Sequence, residues 1–154
     1  MFRSRFLTFV VFVAMVMALV PLGQSAVAAS ASVVISQVYG GGGNAGATFK
    51  NDFIELFNRG AAAVDLTGWS VQYAAAAGIA WAPTVLSGPI QPGQYYLVQE
   101  GAGAGGTVSL PTPDATGNIA MGATAGKVIL TNATVALTGS CPSGAGIEIG
   151  RAHV

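Results

Sequence analysis

Asn51–Asn58, with the sequence NDFIELFN, is the stretch whose side-chain pattern indicates the architecture most directly. Side chains alternate between the two faces of a β-strand. Ile54 and Leu56 would therefore share one face, and Phe53 and Phe57 would share the opposite face. We predict that this stretch is a strand of a sheet and that Ile54 and Leu56 belong to its buried face.

The same alternation recurs along the chain. In Gly68–Tyr73, for example, Val71 would face the core while Ser70 and Gln72 would face away from it. Further strands are predicted at Val33–Tyr39, Gly68–Tyr73, Gln94–Glu100 and Lys127–Asn132, with a weaker one at Ile79–Ala82. The core candidates are Ile54, Leu56, Val71, Leu97, Val98, Val128 and Leu130.

Turn-forming residues separate these runs. Asn58-Arg59-Gly60 and Gln91-Pro92-Gly93 are typical of tight turns. Gly40–Gly46 is predicted to be a flexible loop, and Gly101–Gly106 a surface loop. No segment after residue 30 shows a sustained helical period with caps, and short strands between turns favour an all-β, antiparallel sandwich.

Composition excludes several classes of protein. The 154 residues are 52% hydrophobic and 8% charged, with a formal net charge of zero. No basic surface is therefore expected for nucleic-acid binding, and the charge is too low for a disordered, solvated chain. The 22 glycines follow no period of three, which excludes collagen.

Residues 1–28 have the layout of a secretory signal peptide. Arg3 and Arg5 precede the uncharged run Phe6–Val20, and Ala26 and Ala28 have the small side chains that a cleavage site needs. The alternative is an uncleaved membrane anchor, but the apolar run is shorter than the roughly 20 residues of a spanning helix. We expect cleavage near Ala28, a secreted, periplasmic or cell-surface protein, and no membrane attachment after cleavage.

Residues 148–154, EIGRAHV, resemble the translation of a widely used short-read sequencing adapter. An ordinary polar tail is the alternative, and both are set apart from the fold. If the adapter interpretation holds, the sole histidine, His153, is not a natural residue and offers no ligand or general base.

Three segments together resemble the lamin-tail domain as it occurs in exported bacterial proteins. They are NDFIELFN at 51–58, DLTGWSVQY at 65–73 and LSGPIQPGQYYLV at 86–98, in this order and with ordinary spacing. The resemblance covers roughly residues 32–143 and implies an immunoglobulin-like, antiparallel β-sandwich. The domain would occupy residues 29–147 and lack its last strand or strands, because the family pattern continues with further strands.

The resemblance and the strand pattern assign structural roles to a set of positions. Trp69 would open a strand and fill the sandwich, and Gly68 before it would permit a bend. Glu55 would carry its carboxylate on the solvent face or bonded to nearby backbone, with a ligand contact as the alternative. The full set is Ile54, Glu55, Leu56, Asn58, Gly68, Trp69, Val71, Gly93, Tyr95 and Leu97.

Cys141 is a single cysteine in a chain that we expect to be exported, where an even number is usual. Members of the family often carry a second cysteine soon after the first, which implies a disulfide with a cysteine beyond the present sequence. An intermolecular disulfide and a free thiol are the alternatives.

No catalytic, cofactor or metal site is predicted. Gly40–Gly46 lacks the Lys-Ser/Thr pair and helix start of a phosphate-binding loop, and Asp52 and Glu55 would face opposite sides of their strand. A weaker hypothesis groups Asp52 with Asn44 and Asn51 in a calcium site. Another hypothesis makes a carbohydrate- or protein-contact face from Phe53, Phe57, Tyr95 and Tyr96, although strand aromatics are more often simply packed.

Two functions from different classes follow. The first is an exported, non-catalytic β-sandwich used for adhesion or for positioning a partner domain, with cell-surface or matrix components or a downstream domain as partners. The second is an accessory domain of an extracellular endonuclease/exonuclease/phosphatase-type nuclease whose catalytic part lies elsewhere. A matrix component that assembles through sheet edges is a third. We also predict that the 154-residue product by itself folds poorly.

Overall fold

The computed structural model describes residues 32–144 and 147–153, and within them it contains strands and turns but no helix. The predicted signal peptide at 1–28 lies outside the described residues. The strands are β1 (Val33–Tyr39), β2 (Asn51–Asn58), β3 (Val64–Asp65), β4 (Ser70–Ala75), β5 (Ala82–Val85), β6 (Pro89–Ile90), β7 (Tyr95–Ala102), β8 (Ala115–Thr116), β9 (Gly126–Thr131) and β10 (Ile147–His153).

The strands form two four-stranded sheets and one small two-stranded sheet. The first sheet has the order β1-β2-β7-β8, and the second has the order β10-β9-β4-β5. β3 and β6 pair separately. All strand pairs are antiparallel except β7 and β8, whose short parallel pairing is a departure from the predicted antiparallel pattern. The predicted all-β sandwich is confirmed.

The hydrophobic core lies between the two sheets. Ile54 and Leu56 of β2 are buried against Val71 of β4 and Val128 and Leu130 of β9, as the alternation predicts. Each Å² of apolar surface that this face removes from water stabilises the fold by about 25 cal/mol. Val98 belongs to the same core, which confirms six of the seven core candidates.

Leu97 is the wrong core candidate. It is half-buried on the outer face of β7, and its neighbour Tyr96 lies in the core instead. Adjacent residues of a strand point to opposite faces, so Leu97 and Val98 cannot both face the core. The hydroxyl of Tyr96 donates to the carbonyl of Ser87 at 2.9 Å, which satisfies the polar end of this buried ring.

β1 contains a bulge that the alternation does not show. Its pairing with β2 shifts register between Ile35 and Gln37. A bulge reverses the face on which later residues lie. Ile35 and Val38 therefore both pack against the core, although they are three residues apart.

A loop covers the outer face of the second sheet. Ser70 and Gln72 lie on the face opposite Val71, as predicted, but they are buried there. The Ser70 hydroxyl donates to the carbonyl of Ala133, and the Gln72 amide donates to the carbonyl of Val135. Both faces of β4 are therefore covered, one by the first sheet and one by this loop.

Element boundaries differ from the predictions mainly in the glycine-rich and alanine-rich segments. β7 extends to Ala102, so Gly101 and Ala102 are strand residues and only residues 103–106 of the predicted surface loop lie outside the strand. The weak strand predicted at Ile79–Ala82 begins instead at Ala82. Residues 147–153 pair with β9 at the edge of the second sheet, so the predicted artefact segment is placed as β10. The origin of that segment stays a prediction.

Candidate functional site

The outer face of the first sheet carries aromatic side chains at one end. Tyr39 stacks on Phe53 with ring centroids 5.3 Å apart, and Phe49 meets both rings edge-on. Phe53 and Tyr39 are paired across β1 and β2, which brings the two rings together. Phe53 is only 6% exposed because its two neighbours cover it.

The other end of this face is more open. Phe57 and Tyr95 are paired across β2 and β7, with ring centroids 4.8 Å apart and a tilt of 39°. Tyr95 is 60% exposed, although a large aromatic ring gains most when it is buried. Of the four aromatics predicted as a contact face, Phe53, Phe57 and Tyr95 share this outer face, whereas Tyr96 lies in the core.

Glu55 lies between the two aromatic pairs on the same face. It is half-buried, and the Ser36 hydroxyl donates to its Oε1 at 2.6 Å and contacts its carbonyl oxygen at 3.1 Å. The bulge in β1 places Ser36 opposite this carboxylate. The geometry agrees with a carboxylate on the outer face of the sheet, and it leaves Glu55 beside Tyr95 and Phe57 as part of one mixed polar and aromatic surface.

Asn58 and Gly93 hold the turn end of the sandwich together. The buried Asn58 amide donates to the carbonyls of Ala62 and Ile90 at 2.8 and 3.0 Å, and its Oδ1 accepts from the Gly60 amide at 2.9 Å. Gly93 has a φ of +69° in the predicted turn and donates to the Asn58 carbonyl at 2.8 Å. Both residues have structural roles.

Gly68 and Trp69 form the bend that leads into β4. Gly68 has a φ of +84°, a value that favours glycine. Trp69 is partly buried and packs against the core. Its amide donates to the carbonyl of Leu66, and its carbonyl accepts from the amide of Leu86. Leu66 and Leu86 are both buried, so this bend closes one end of the core with apolar side chains.

Asp52 is a buried carboxylate at the opposite end of β2. It is 3% exposed, and its two oxygens accept hydrogen bonds from the amides of Gly42 and Met121, each at 2.6 Å. Burial raises the pKa of Asp52, and the bonds from Met121, Gly42 and Gly41 partly oppose that rise. The side chain joins the glycine loop to the segment that carries Met121 into the core.

Glu100 is a second buried carboxylate beside Asp52. It is 1% exposed, and its Oε2 accepts from the amide of Ile119 at 3.0 Å. Burial raises the pKa of Glu100, bonds from Thr84 and Ile119 lower it, and the charge of Asp52 raises it further. Its Oε1 is buried and has no hydrogen-bond partner.

The Gly40–Gly46 loop is tightly packed against neighbouring backbone. Gly42 lies so close to the backbone of Asn51 and Asp52 that a Cβ atom would overlap it. Gly43 accepts a bond from the Gly105 amide at 2.6 Å, which joins the two glycine-rich segments. The loop therefore serves as a close-packed connection rather than the flexible segment that the sequence suggests.

The residues of the calcium hypothesis do not converge. Asn44 is exposed, and the Asn51 amide donates to the carbonyl of Glu100. In residues 32–144 and 147–153, no three or more His, Cys, Asp and Glu side chains come together as a metal-binding group. No helix formed by the described residues is long and apolar enough to cross a membrane. Cys141 is exposed, and its disulfide stays a prediction.

Sequence reasoning missed Asp52 and Glu100 as members of one cluster, although the signal was available. Asp52 precedes Ile54 by two residues, and Glu100 follows Val98 by two, so alternation places both on the core face. Ile54 and Val98 are paired across β2 and β7, which makes the two carboxylates neighbours. The predictions considered Asp52 with Glu55, which lies on the opposite face, and with Asn44 and Asn51, but not with Glu100.

Sequence reasoning also missed the contact between Trp81 and Lys127. The Trp81 ring is buried with Ile129, and its Nε1 donates to the carbonyl of Gly139 at 2.9 Å. Lys127 Nζ lies 5.5 Å from the ring centroid and donates to the carbonyls of Gly78 and Ser140. These contacts hold the covering loop on the second sheet. The sequence pattern did not predict them, because their partners are far apart along the chain.

Comparison with known proteins agrees with the architecture. The family model of the Lamin Tail Domain matches residues 26–145. Among curated proteins, none matches the chain. The match spans most of the chain and includes both sheets up to β9. This family is a non-catalytic, immunoglobulin-like one, in agreement with the two-sheet fold. The chain therefore belongs to the Lamin Tail Domain family.

Proposed function

We propose that this protein is an exported, non-catalytic binding module that contacts a cell-surface or matrix component, or a partner domain, through the outer face of its first sheet. The observation that carries the proposal is the exposed ring of Tyr95, packed beside the half-buried ring of Phe57. A tyrosine that is 60% exposed leaves a large apolar surface with a polar tip in water. Such rings are enriched where proteins bind partners.

The surroundings of Tyr95 support the same function. Glu55 and Ser36 place a hydrogen-bonded carboxylate and hydroxyl next to the exposed ring. Aromatic and polar groups on one rigid sheet face can fix the orientation of a partner, because the strands hold their side chains in place. Membership of a non-catalytic family agrees with a binding role. Export is proposed from the layout of residues 1–28, and the mass of the secreted N-terminus tests cleavage near Ala28.

Binding of the full chain to isolated cell-wall and matrix fractions tests the proposal. We expect Tyr95→Ala to weaken binding about tenfold, since truncation of one well-placed interface residue costs about 1–2 kcal/mol. Val135→Ala is the matched control, because Val135 is 75% exposed and lies on the loop over the second sheet. Equal binding by the two variants, or no binding by the wild-type chain, would contradict the proposal.

Positioning a nuclease domain is the second candidate function. It is supported by the resemblance to exported bacterial lamin-tail proteins, and the catalytic and metal-binding residues would then belong to another domain of the same gene product. Reading the gene downstream of the codon for Ile147 tests it. An endonuclease/exonuclease/phosphatase domain in frame would support this function, and an early stop codon would remove it.

A further inference from the structure

Two buried carboxylates lie at the glycine-rich end of the sandwich. Asp52 is on β2 and Glu100 is on β7, and each is almost fully buried. The charge of Asp52 acts on Glu100. In the part of the chain that the structure describes, no lysine or arginine pairs with either group, and the nearby Lys50 is exposed. Two buried charges of the same sign cost much more than one.

The two carboxylates differ in their hydrogen bonds. Both oxygens of Asp52 accept short bonds from backbone amides, and such bonds favour the ionised form. Glu100 receives the Ile119 amide and Thr84 on one oxygen, whereas Oε1 has no partner. An oxygen that carries half a negative charge without a donor is far costlier to bury than the oxygen of a neutral acid.

Both carboxylates hold one segment, residues 117–122. The amides of Ile119 and Met121 donate to Glu100 and Asp52, respectively, and the amide of Gly122 donates to the Tyr73 hydroxyl at 2.8 Å. Ile119 and Met121 are buried in the core. Residues 117–122 therefore close the end of the sandwich. The side-chain oxygens of Asp52, Glu100 and Tyr73 accept these amide hydrogen bonds, which backbone carbonyls of a neighbouring strand would accept in a regular sheet.

We propose that the Asp52–Glu100 pair holds one proton, on Glu100, in the folded domain, and that loss of this proton as the pH rises loosens residues 117–122. A bound cation is a weaker explanation, because the amides aimed at these oxygens present partial positive charge and favour an anion. The direction of the pKa of Glu100, which burial raises, agrees with a retained proton.

The sign of the pH dependence follows from linkage. Because the pKa of Glu100 is raised above its ordinary value of 4.5, the folded domain holds a proton that the unfolded chain releases. Its contribution to stability is complete below that ordinary value. It is lost as the pH rises through the folded value, at up to about tenfold in the folding equilibrium constant per pH unit. The raised pKa of Asp52 acts in the same direction.

Urea unfolding of the full chain at a series of pH values from mildly acidic to mildly alkaline tests the proposal. We expect the folding equilibrium constant of the wild-type chain to fall as the pH rises, and Glu100→Gln to lose most of that slope. Glu55→Gln is the matched control, because it removes a carboxylate from the outer face, and it should keep the wild-type slope. A flat wild-type profile, or equal slopes for wild type and Glu100→Gln, would overturn the proposal.

A measurement on the wild-type chain keeps the proposal testable if Glu100→Gln does not fold. The amide resonance of Ile119 reports the ionisation of Glu100, because the two groups are hydrogen-bonded at 3.0 Å. We expect its chemical shift to titrate with a midpoint above 4.5, the ordinary value for a glutamate. A midpoint at or below that value would show that Glu100 is ionised in the folded domain.

Discussion

The two ends of β2 show different ways to bury a polar side chain. At the Asn58 end, a neutral amide makes three hydrogen bonds to surrounding backbone. At the Asp52 end, two carboxylates share one buried region, and an oxygen of Glu100 has no partner. Burial of a satisfied amide costs little, whereas burial of a second negative charge is expensive. The first end should therefore be stable at all ordinary pH values, and the second should respond to pH.

The two ends also differ in how the core is closed. Leu66, Leu86 and Ile90 close the Asn58 end with buried apolar side chains. Glycine backbones pack closely at the Asp52 end, where Gly42 contacts Asn51 and Gly43 contacts Gly103. The stability of the apolar end should therefore fall when a buried side chain is shortened, and the stability of the glycine-rich end should fall when a side chain is added.

The largest effect is expected from Leu66→Ala at the apolar end. Leu66 is fully buried, so its truncation leaves a cavity and should lower the free energy of unfolding by about 4 kcal/mol. Chemical denaturation measures this loss, with Val135→Ala as the control at an exposed apolar position. A loss below about 1 kcal/mol would mean that the apolar end does not close the core.

Gly42→Ala should have the next largest effect, at the glycine-rich end. The new methyl group would overlap the backbone of Asn51, so the loop must move, at a cost of about 3 kcal/mol. Ala45→Ser, at an exposed position of the same loop, adds one heavy atom in open surroundings and should change stability little. Similar thermal unfolding midpoints for the two variants would contradict the close packing of this end.

Asn58→Ala should destabilise the domain by about 2 kcal/mol, because it leaves the buried carbonyl of Ile90, the carbonyl of Ala62 and the amide of Gly60 without their side-chain partner. The loss should be the same at acidic and alkaline pH, since an amide does not titrate. Asn44→Ala is the control, because Asn44 is exposed. A loss that varies with pH would remove the contrast with the Glu100 end.

Asp65→Asn should have the smallest effect, with a pH dependence opposite to that of Glu100. Hydrogen bonds from Thr67 lower the pKa of the exposed Asp65 carboxylate. Its contribution to stability is therefore present above its unfolded pKa and is lost as the pH falls through the folded value. Unfolding curves of wild type and Asp65→Asn should differ slightly near neutral pH and converge in acid. A difference that grows in acid would contradict this sign.

Local alternation was sufficient to predict most of the sheet architecture. Ile54, Leu56, Val71, Val128 and Leu130 are core residues because alternate side chains of a strand share a face, whatever lies beyond it. The same rule could not choose between Leu97 and Val98, since both are apolar neighbours in β7. Packing against the second sheet made that choice.

The candidate site was less predictable because distant segments create it. Alternation places Tyr95 and Phe57 on one face of the sheet. Whether that face is exposed depends on whether a distant segment packs over it, which alternation does not predict. Gln72 shows the opposite outcome, because its face looks solvent-exposed in the sequence and is covered by a loop about 63 residues further along.

The amino-acid sequence by itself determined an all-β sandwich, because strand periodicity and turn residues act over a few neighbouring positions. The family followed from the resemblance of three segments to the lamin-tail domain, which the family match over residues 26–145 supports. Only the tertiary structure decided that Asp52 and Glu100 share one buried region with residues 117–122. The cost of burying a charge depends on which groups from distant segments surround it, and no local pattern carries that information.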